Sequence, residues 1–268
     1  MHGIAEAAVL GGASGAIVVQ GIQNLQPAVS GLPERILGIR DQTVAASPAP
    51  GKRVPAWDVS LNYVPASYPA YTPSVIDIHP DQKEFWRVVN ASADTVRNLQ
   101  LRFDGQAQLL QVVGLDGVPM NSQDGTRRGR LTPLTHILLP PAGRAEFIVT
   151  GPPPGVRKAE LITQKIDTGP SGDFNPESPL AILHGSAIPQ AMTIMAAPSG
   201  PGRAQRFEGL NDAESTVHRK LYFSEVLSDP TNPASPTNFF ITVDGATPAL
   251  FEPDNPPAIT TTQGVVED

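Results

Sequence analysis

Apolar and polar side chains alternate strictly along Leu99-Gln100-Leu101-Arg102-Phe103-Asp104, and Asp104-Gly105 follows where a tight turn belongs. Phe239, Ile241 and Val243 repeat the alternation before Asp244-Gly245, and Val112-Val113-Gly114-Leu115 runs into Asp116-Gly117. Strand and turn chemistry therefore agree in three separate places. Further strands are expected at Ile36–Ile39, Val75–Ile78, Phe85–Val89, Ile137–Leu139, Glu146–Val149, Glu160–Thr163 and Leu221–Val226. The glycine-punctuated opening "MHGIAEAAVLGGASGAIVV" predicts one more, at Ala16–Val19, placed as the closing strand of a sheet. The best helical stretch, Ile4–Leu10, is too short to stand alone and is followed by two glycines. Such a pattern predicts an all-β sandwich.

Spacing of the breakers supports that reading. The chain has 29 prolines and 24 glycines, which fall between the short strands instead of collecting in one linker. Four segments are expected: residues 1–31 as the end of one domain, 32–187 as a complete domain, 188–217 as a linker poor in apolar residues, and 218–268 as the beginning of another domain. From Lys220 onward there are too few strands for a sandwich, which takes about seven. Both ends thus read as incomplete domains, and Met1 is not expected to be the start of the working protein.

Composition narrows the chemistry. With 40% hydrophobic residues among 268, the chain is long enough to build a core. No run reaches the roughly 18 apolar residues of a membrane helix. A formal charge of -7, spread along the chain, argues against nucleic acid or an anionic membrane surface as the main partner. Zero cysteine removes disulfides, thiolate metal sites and cysteine nucleophiles together.

The histidines, His2, His79, His136, His184 and His218, lie far apart with no H-x-H pair among them. Ser14 in "GGASGA" lacks the final glycine of a nucleophile elbow and reads as a turn residue. Arg127, Arg128 and Arg130 in "GTRRGR" read as a solvated loop tip. Asp58, Asp77, Asp81 and Asp167 form no obvious acid pair. Asn90-Ala91-Ser92 fits a glycosylation sequon but is expected to serve the backbone, and Trp86 and Arg87 to hold the sandwich. No catalytic or cofactor-binding residue emerges.

Five stretches carry a family resemblance. "HGIAEAAVLGGASGAIVVQGI" resembles the segment that follows the second copper-binding histidine pair of multicopper oxidases, and "LPERILGIRDQ" the first strand of their second domain. "EFWRVVNASADTVRNLQLRFDGQAQLLQVVGLDGVPM", with its R-x-x-N-A-S run and D-G-x-P turn, followed by "PPAGRAEFIVTGP", is similar to the centre of that domain. "FFITVDGATPALFEPDNPPAITTTQGVVED" is similar to the opening of the third. The chain is thus identified as a fragment of the laccase-like, three-domain type.

That resemblance implies a cupredoxin-like Greek-key β-sandwich, with a complete middle domain flanked by two partial ones. It implies a parent that oxidises phenolic or metal reductants at a type 1 copper and reduces dioxygen to water at a three-copper cluster, in the periplasm or outside the cell. It also implies that the ligand motifs lie outside this chain: H-P-H before His2, and H-P-x-H-x-H and H-C-H after Asp268. His2 is the one residue adjacent to a copper motif, at a position usually not a ligand. Copper belongs to the parent and none is expected in this chain; the partners implied are the missing flanking cupredoxin segments, dioxygen and the reductant. The competing reading is a copper-free cupredoxin scaffold that binds another protein through its sheets.

Overall fold

The computed structural model of the chain describes residues 5–44, 53–120, 129–169, 172–185, 192–193, 214, 220–232, 235–243 and 249–250. His2, His218, Arg127, Arg128, the Asp244-Gly245 turn and most of the expected linker lie outside them. The chain divides into two compact units, Met1–Arg206 and Phe207–Asp268.

The larger unit is the expected all-β sandwich. Its strands are β1 (Pro33–Gln42), β2 (Asp58–Leu61), β3 (Val64–Ala66), β4 (Ser74–Ile78), β5 (Lys83–Asn90), β6 (Arg97–Phe103), β7 (Gln106–Ala107), β8 (Leu110–Leu115), β9 (Val118–Pro119), β10 (Thr132–Leu134), β11 (Ile137–Leu139), β12 (Arg144–Thr150), β13 (Ala159–Thr163), β14 (Ser178–Gly185) and β15 (Met192–Thr193). One sheet runs β10-β8-β12-β5-β1-β2-β3, with β15 on β1 and β9 on β8; the other runs β11-β6-β13-β14-β4, with β7 on β6. Most pairs are antiparallel. The exceptions, β1 with β5 and β14 with β4, are parallel.

Alternation decides what faces the interior. Leu37 and Ile39, Trp86 and Val88, Leu99 and Leu101, Phe147 and Val149, and Leu161 form one core between the sheets. Trp86 and Phe147 meet with ring centroids 6.2 Å apart. Yet every residue of β5 after Lys83 is buried, on both faces. The reason is a second cluster on the outer face, where Phe85, Val113 and Ile148 are covered by Val29, Ile22 and Leu32 from the chain that precedes β1. That chain makes two 3-10 turns, Ile22–Asn24 and Pro27–Val29, and Gln26 ties it down by donating to the Gly129 carbonyl at 2.8 Å.

Both Asp-Gly turns of this unit have positive φ at each residue, 46° and 82° at Asp104-Gly105 and 50° and 79° at Asp116-Gly117, as tight hairpin turns require. Their carboxylates do more than shape the turn. Asp104 accepts the Lys158 amide at 2.9 Å and Asp116 the Arg144 amide at 2.8 Å, so each fixes the start of a neighbouring strand.

One expectation is corrected. Ala16–Val19 is not a strand: no strand pairs with it among the described residues, and Ile17 and Val19 are 95% and 75% exposed. A strand exists only through its partner's hydrogen bonds, so a β-prone sequence without one stays irregular. The strand expected at Phe239–Val243 is present, paired with one neighbour along its length and with a second at Phe240 and Ile241. In the smaller unit, β17 (Thr237–Val243) lies between β16 (Leu221–Leu227) and β18 (Ala249–Leu250), all antiparallel. Its hairpin loop is closed by Asp229, whose carboxylate takes the Thr231 hydroxyl at 2.7 Å and amide at 2.9 Å.

Candidate functional site

On the outer face of the nine-stranded sheet, register places Ile36 of β1, Arg87 of β5 and Glu146 of β12 in one row, with Glu34 one pleat away on β1. Arg87 is 8% exposed and sits between the two carboxylates. Its Nε is 2.5 Å from Glu34 Oε1 and 3.7 Å from Glu146 Oε1, and its guanidinium lies 5.1 Å from the Phe85 ring centroid. Nη1 donates to the Val19 carbonyl at 3.0 Å, while Nη2 is buried without a hydrogen-bond partner. Two carboxylates thus compete for one buried cation.

Glu146 bears the cost of that competition. Burial pushes its carboxyl above the ordinary carboxylate range; Arg87 opposes the shift, Glu34 adds to it and Arg144 opposes it. A group raised in this way contributes stability that is complete below its unfolded value and lost as pH rises through its folded one. Glu146→Gln should therefore gain thermal stability over the native chain as pH climbs past the ordinary carboxylate range, about 4.3, with the two converging in acid. Melting curves across a pH series check this; parallel curves would show that Glu146 titrates normally.

A second arginine on the same face, Arg40 of β1, donates through Nη2 to the carbonyls of Val9 at 3.1 Å and Leu10 at 3.3 Å, the last residues of the short helix Ala5–Leu10. The Val9 carbonyl also accepts the Gly12 amide at 3.0 Å, and the cation adds a second donor at this helix end. Arg40 and Arg87 together strap residues 5–20 across the sheet. Between strap and sheet lies a groove of about 1240 Å³, walled by Ile17, Val19, Ile36, Val89, Arg87 and Arg144 among others. Ser14 also lines it, with its hydroxyl buried and unpartnered.

The R-x-x-N-A-S run, Arg87 to Ser92, forms the neighbouring wall, and its parts are structural. Asn90 is fully buried, and its side-chain amide donates to the carbonyls of Thr95 at 2.8 Å and Leu139 at 2.9 Å. The sequon is therefore sealed inside the fold and serves the backbone. Trp86 is a core residue.

The described histidines are not brought together. His79 Nδ1 meets the Pro80 carbonyl at 3.1 Å, His136 Nδ1 the Asn98 side chain at 2.9 Å, and His184 Nδ1 the Asp77 carboxylate at 3.0 Å. Among the described residues, no three histidine or acidic side chains group as metal ligands. With no thiolate in the sequence and the described imidazoles dispersed, these residues do not fit a type 1 copper or a copper cluster. The acids are equally separate: Asp58 accepts the Tyr68 amide, Asp167 the Gly169 amide, and Asp81 occupies a turn with φ 58°.

Sequence reasoning missed the Glu34–Arg87–Glu146 clasp. Its signal was charge inside strands otherwise rich in apolar residues, as in "KEFWRVVN" and "RAEFIVT".

No protein-family model matches the chain, and no curated protein matches it. Solved structures do. A multicopper oxidase from the hyperthermophile Aquifex aeolicus is 14% identical at a TM-score of 0.45, over 84% of this chain and 43% of that one. CueO, a laccase-like multicopper oxidase from Ochrobactrum sp., is 16% identical at 0.42, over 67% and 38%. One from Pseudomonas thermotolerans is 18% identical at 0.41, over 72% and 41%. The chain spans about two fifths of the length of these structures.

Proposed function

We propose that this chain is the ligand-free middle of a laccase-like multicopper oxidase, an exported protein in which it forms the sandwich that copper-bearing cupredoxin segments assemble against. The assembled protein, not this chain, oxidises a phenolic or metal reductant and reduces dioxygen to water. The observation that supports the reading is the order of family-like stretches along one chain that carries no ligand set. Arg87 and Asn90 of the R-x-x-N-A-S run act in it as framework. The copper-free scaffold reading draws on the outer-face groove, a surface suited to a protein partner.

Copper addition tests the proposal. The purified chain with Cu(II), a phenolic dye and an oxygen electrode should show no copper-dependent turnover and no intense thiolate-to-copper absorption. The same chain expressed with the flanking segments encoded beside it should show both. Turnover by the chain alone would overturn the ligand-free role, and flanking segments that bring no copper would overturn the oxidase assignment in favour of the scaffold.

A further inference from the structure

We propose that the segment between Gly12 and Gly21 is a lid over the outer-face groove, with Arg87 as its latch and the carboxylates of Glu34 and Glu146 as the groups that draw the latch off. Both ends of the segment are fixed. Just before it, Arg40 holds the carbonyls of Val9 and Leu10. Just after it, the turns at Ile22–Asn24 and Pro27–Val29 cover Phe85, Val113 and Ile148, and Gln26 ties them to Gly129. Gly12 and Gly21 stand at the two junctions with φ 105° and 109°, where glycine alone moves without strain, so the backbone has a hinge at each end. Between the hinges no residue is in a helix or strand. Among the described residues, the hydrogen bond that ties this stretch to the sheet is the one from Arg87 Nη1 to the Val19 carbonyl.

That bond is made at the expense of the carboxylates. Arg87 Nε, Arg87 Nη2 and Glu34 Oε1 are all buried without a hydrogen bond, so Nε meets Glu34 as a charge contact alone. Turning the guanidinium gives it a two-bond fork on a carboxylate, the strongest pairing arginine makes, and takes Nη1 off Val19. The charge on Glu146 sets the balance between the two arrangements. With Glu146 neutral, Glu34 alone pulls on Arg87 and the latch stays on the lid; with Glu146 ionised, two carboxylates pull from the sheet. The charged groups around the latch are Glu34 from β1, Glu146 and Arg144 from β12, and Asp116, 3.7 Å from Arg144; β8 presents Gly114 beside Glu146. The lid adds none, since the sequence is uncharged from Gly11 to Leu32. Burial keeps Glu146 protonated above the ordinary carboxylate range. The lid is therefore closed in acid and opens as pH rises through that raised value. This inference stands independently of the oxidase reading.

A thiol placed under the closed lid reads its opening, and the native sequence has no cysteine to interfere. Ser14 lines the groove with its hydroxyl buried, whereas Ile17 on the same segment is 95% exposed. The reaction rate of Ser14→Cys with a dipyridyl disulfide, divided by that of Ile17→Cys, cancels the thiolate titration common to both. In the full chain this ratio should rise roughly threefold or more between about pH 4 and pH 7, over a range where far-UV circular dichroism is constant. Adding Glu146→Gln to both variants should hold the ratio at its acid value throughout. A ratio that stays flat with Glu146 present, or one that rises as much with Glu146→Gln as without it, would overturn the inference.

Discussion

Asp41→Ala should cost the larger unit about 3–5 kcal/mol, the penalty for leaving a buried charge without its partner. Asp41 lies near the end of β1, 3% exposed, and points between the sheets. One carboxylate oxygen is paired with Arg97 Nη2; the other accepts the amides of Ala93 at 3.1 Å, Asp94 at 3.2 Å and Thr95 at 3.4 Å. Arg97 is itself 4% exposed. Burial pushes its guanidinium below the ordinary arginine value, and the Asp41 charge opposes that shift. Removing the carboxylate strands the cation and three amides at once. Asp41→Asn keeps an acceptor for the amides but not the counter-charge, and should fall between Asp41→Ala and the native chain. Asp41→Leu combined with Arg97→Met removes both charges and should recover much of the loss. Thermal melts of the full chain decide the matter, with a drop of roughly 10 °C expected for Asp41→Ala. A drop under about 2 °C would mean that the carboxylate does not hold Arg97. The same network fixes the Asn90–Thr95 turn, so its loss also loosens the groove wall at Asn90 and Ser92.

The strands that sequence revealed are those whose two faces see different surroundings. β6 alternates because one face meets the core and the other does not, and its Asp-Gly turn marks where it ends. β14 went unrecognised: "SPLAILHG" opens with Pro179 near its start and does not alternate cleanly. The structure accommodates that proline, opposite Ile162, with a register shift between Leu161 and Ile162. β2, buried at all four positions, has too few residues for a period to show. Ala16–Val19 has the composition of a strand without a pairing partner, and composition alone does not report a partner. The groove was equally hidden. Glu34, Arg87 and Glu146 are 53 and 59 residues apart in sequence, and only the β1-β5-β12 register brings them together.

Glu84→Ala should match the Asp41 variant in cost, because Glu84 is fully buried and serves both sheets. Its carboxylate takes Arg35 in two bonds, Nε at 2.9 Å and Nη2 at 3.0 Å, and the Trp86 indole N–H at 2.8 Å. Arg35 Nη2 then reaches the Asp77 carbonyl at 2.9 Å on β4, the edge of the opposite sheet. A carboxylate on β5 thus aims a cation from β1 that fastens β4. Alanine there leaves Arg35 without a counter-charge and an indole N–H without an acceptor, for a loss of about 3–5 kcal/mol. Glu84→Gln still accepts from Trp86 but sets an uncharged amide against the guanidinium, and should lose less. Glu84→Leu with Arg35→Met replaces the pair by apolar volume and should stand well above Glu84→Ala, since a buried pair exchanged whole is often close to neutral. Hydrogen exchange separates the fastening role from simple core damage. In Glu84→Ala the amides of Ser74–Ile78 should lose protection before those of β5 and β12, whose partners flank them on both sides. Equal loss across all three strands would mean that Glu84 supports the core as a whole and does not hold β4 through Arg35.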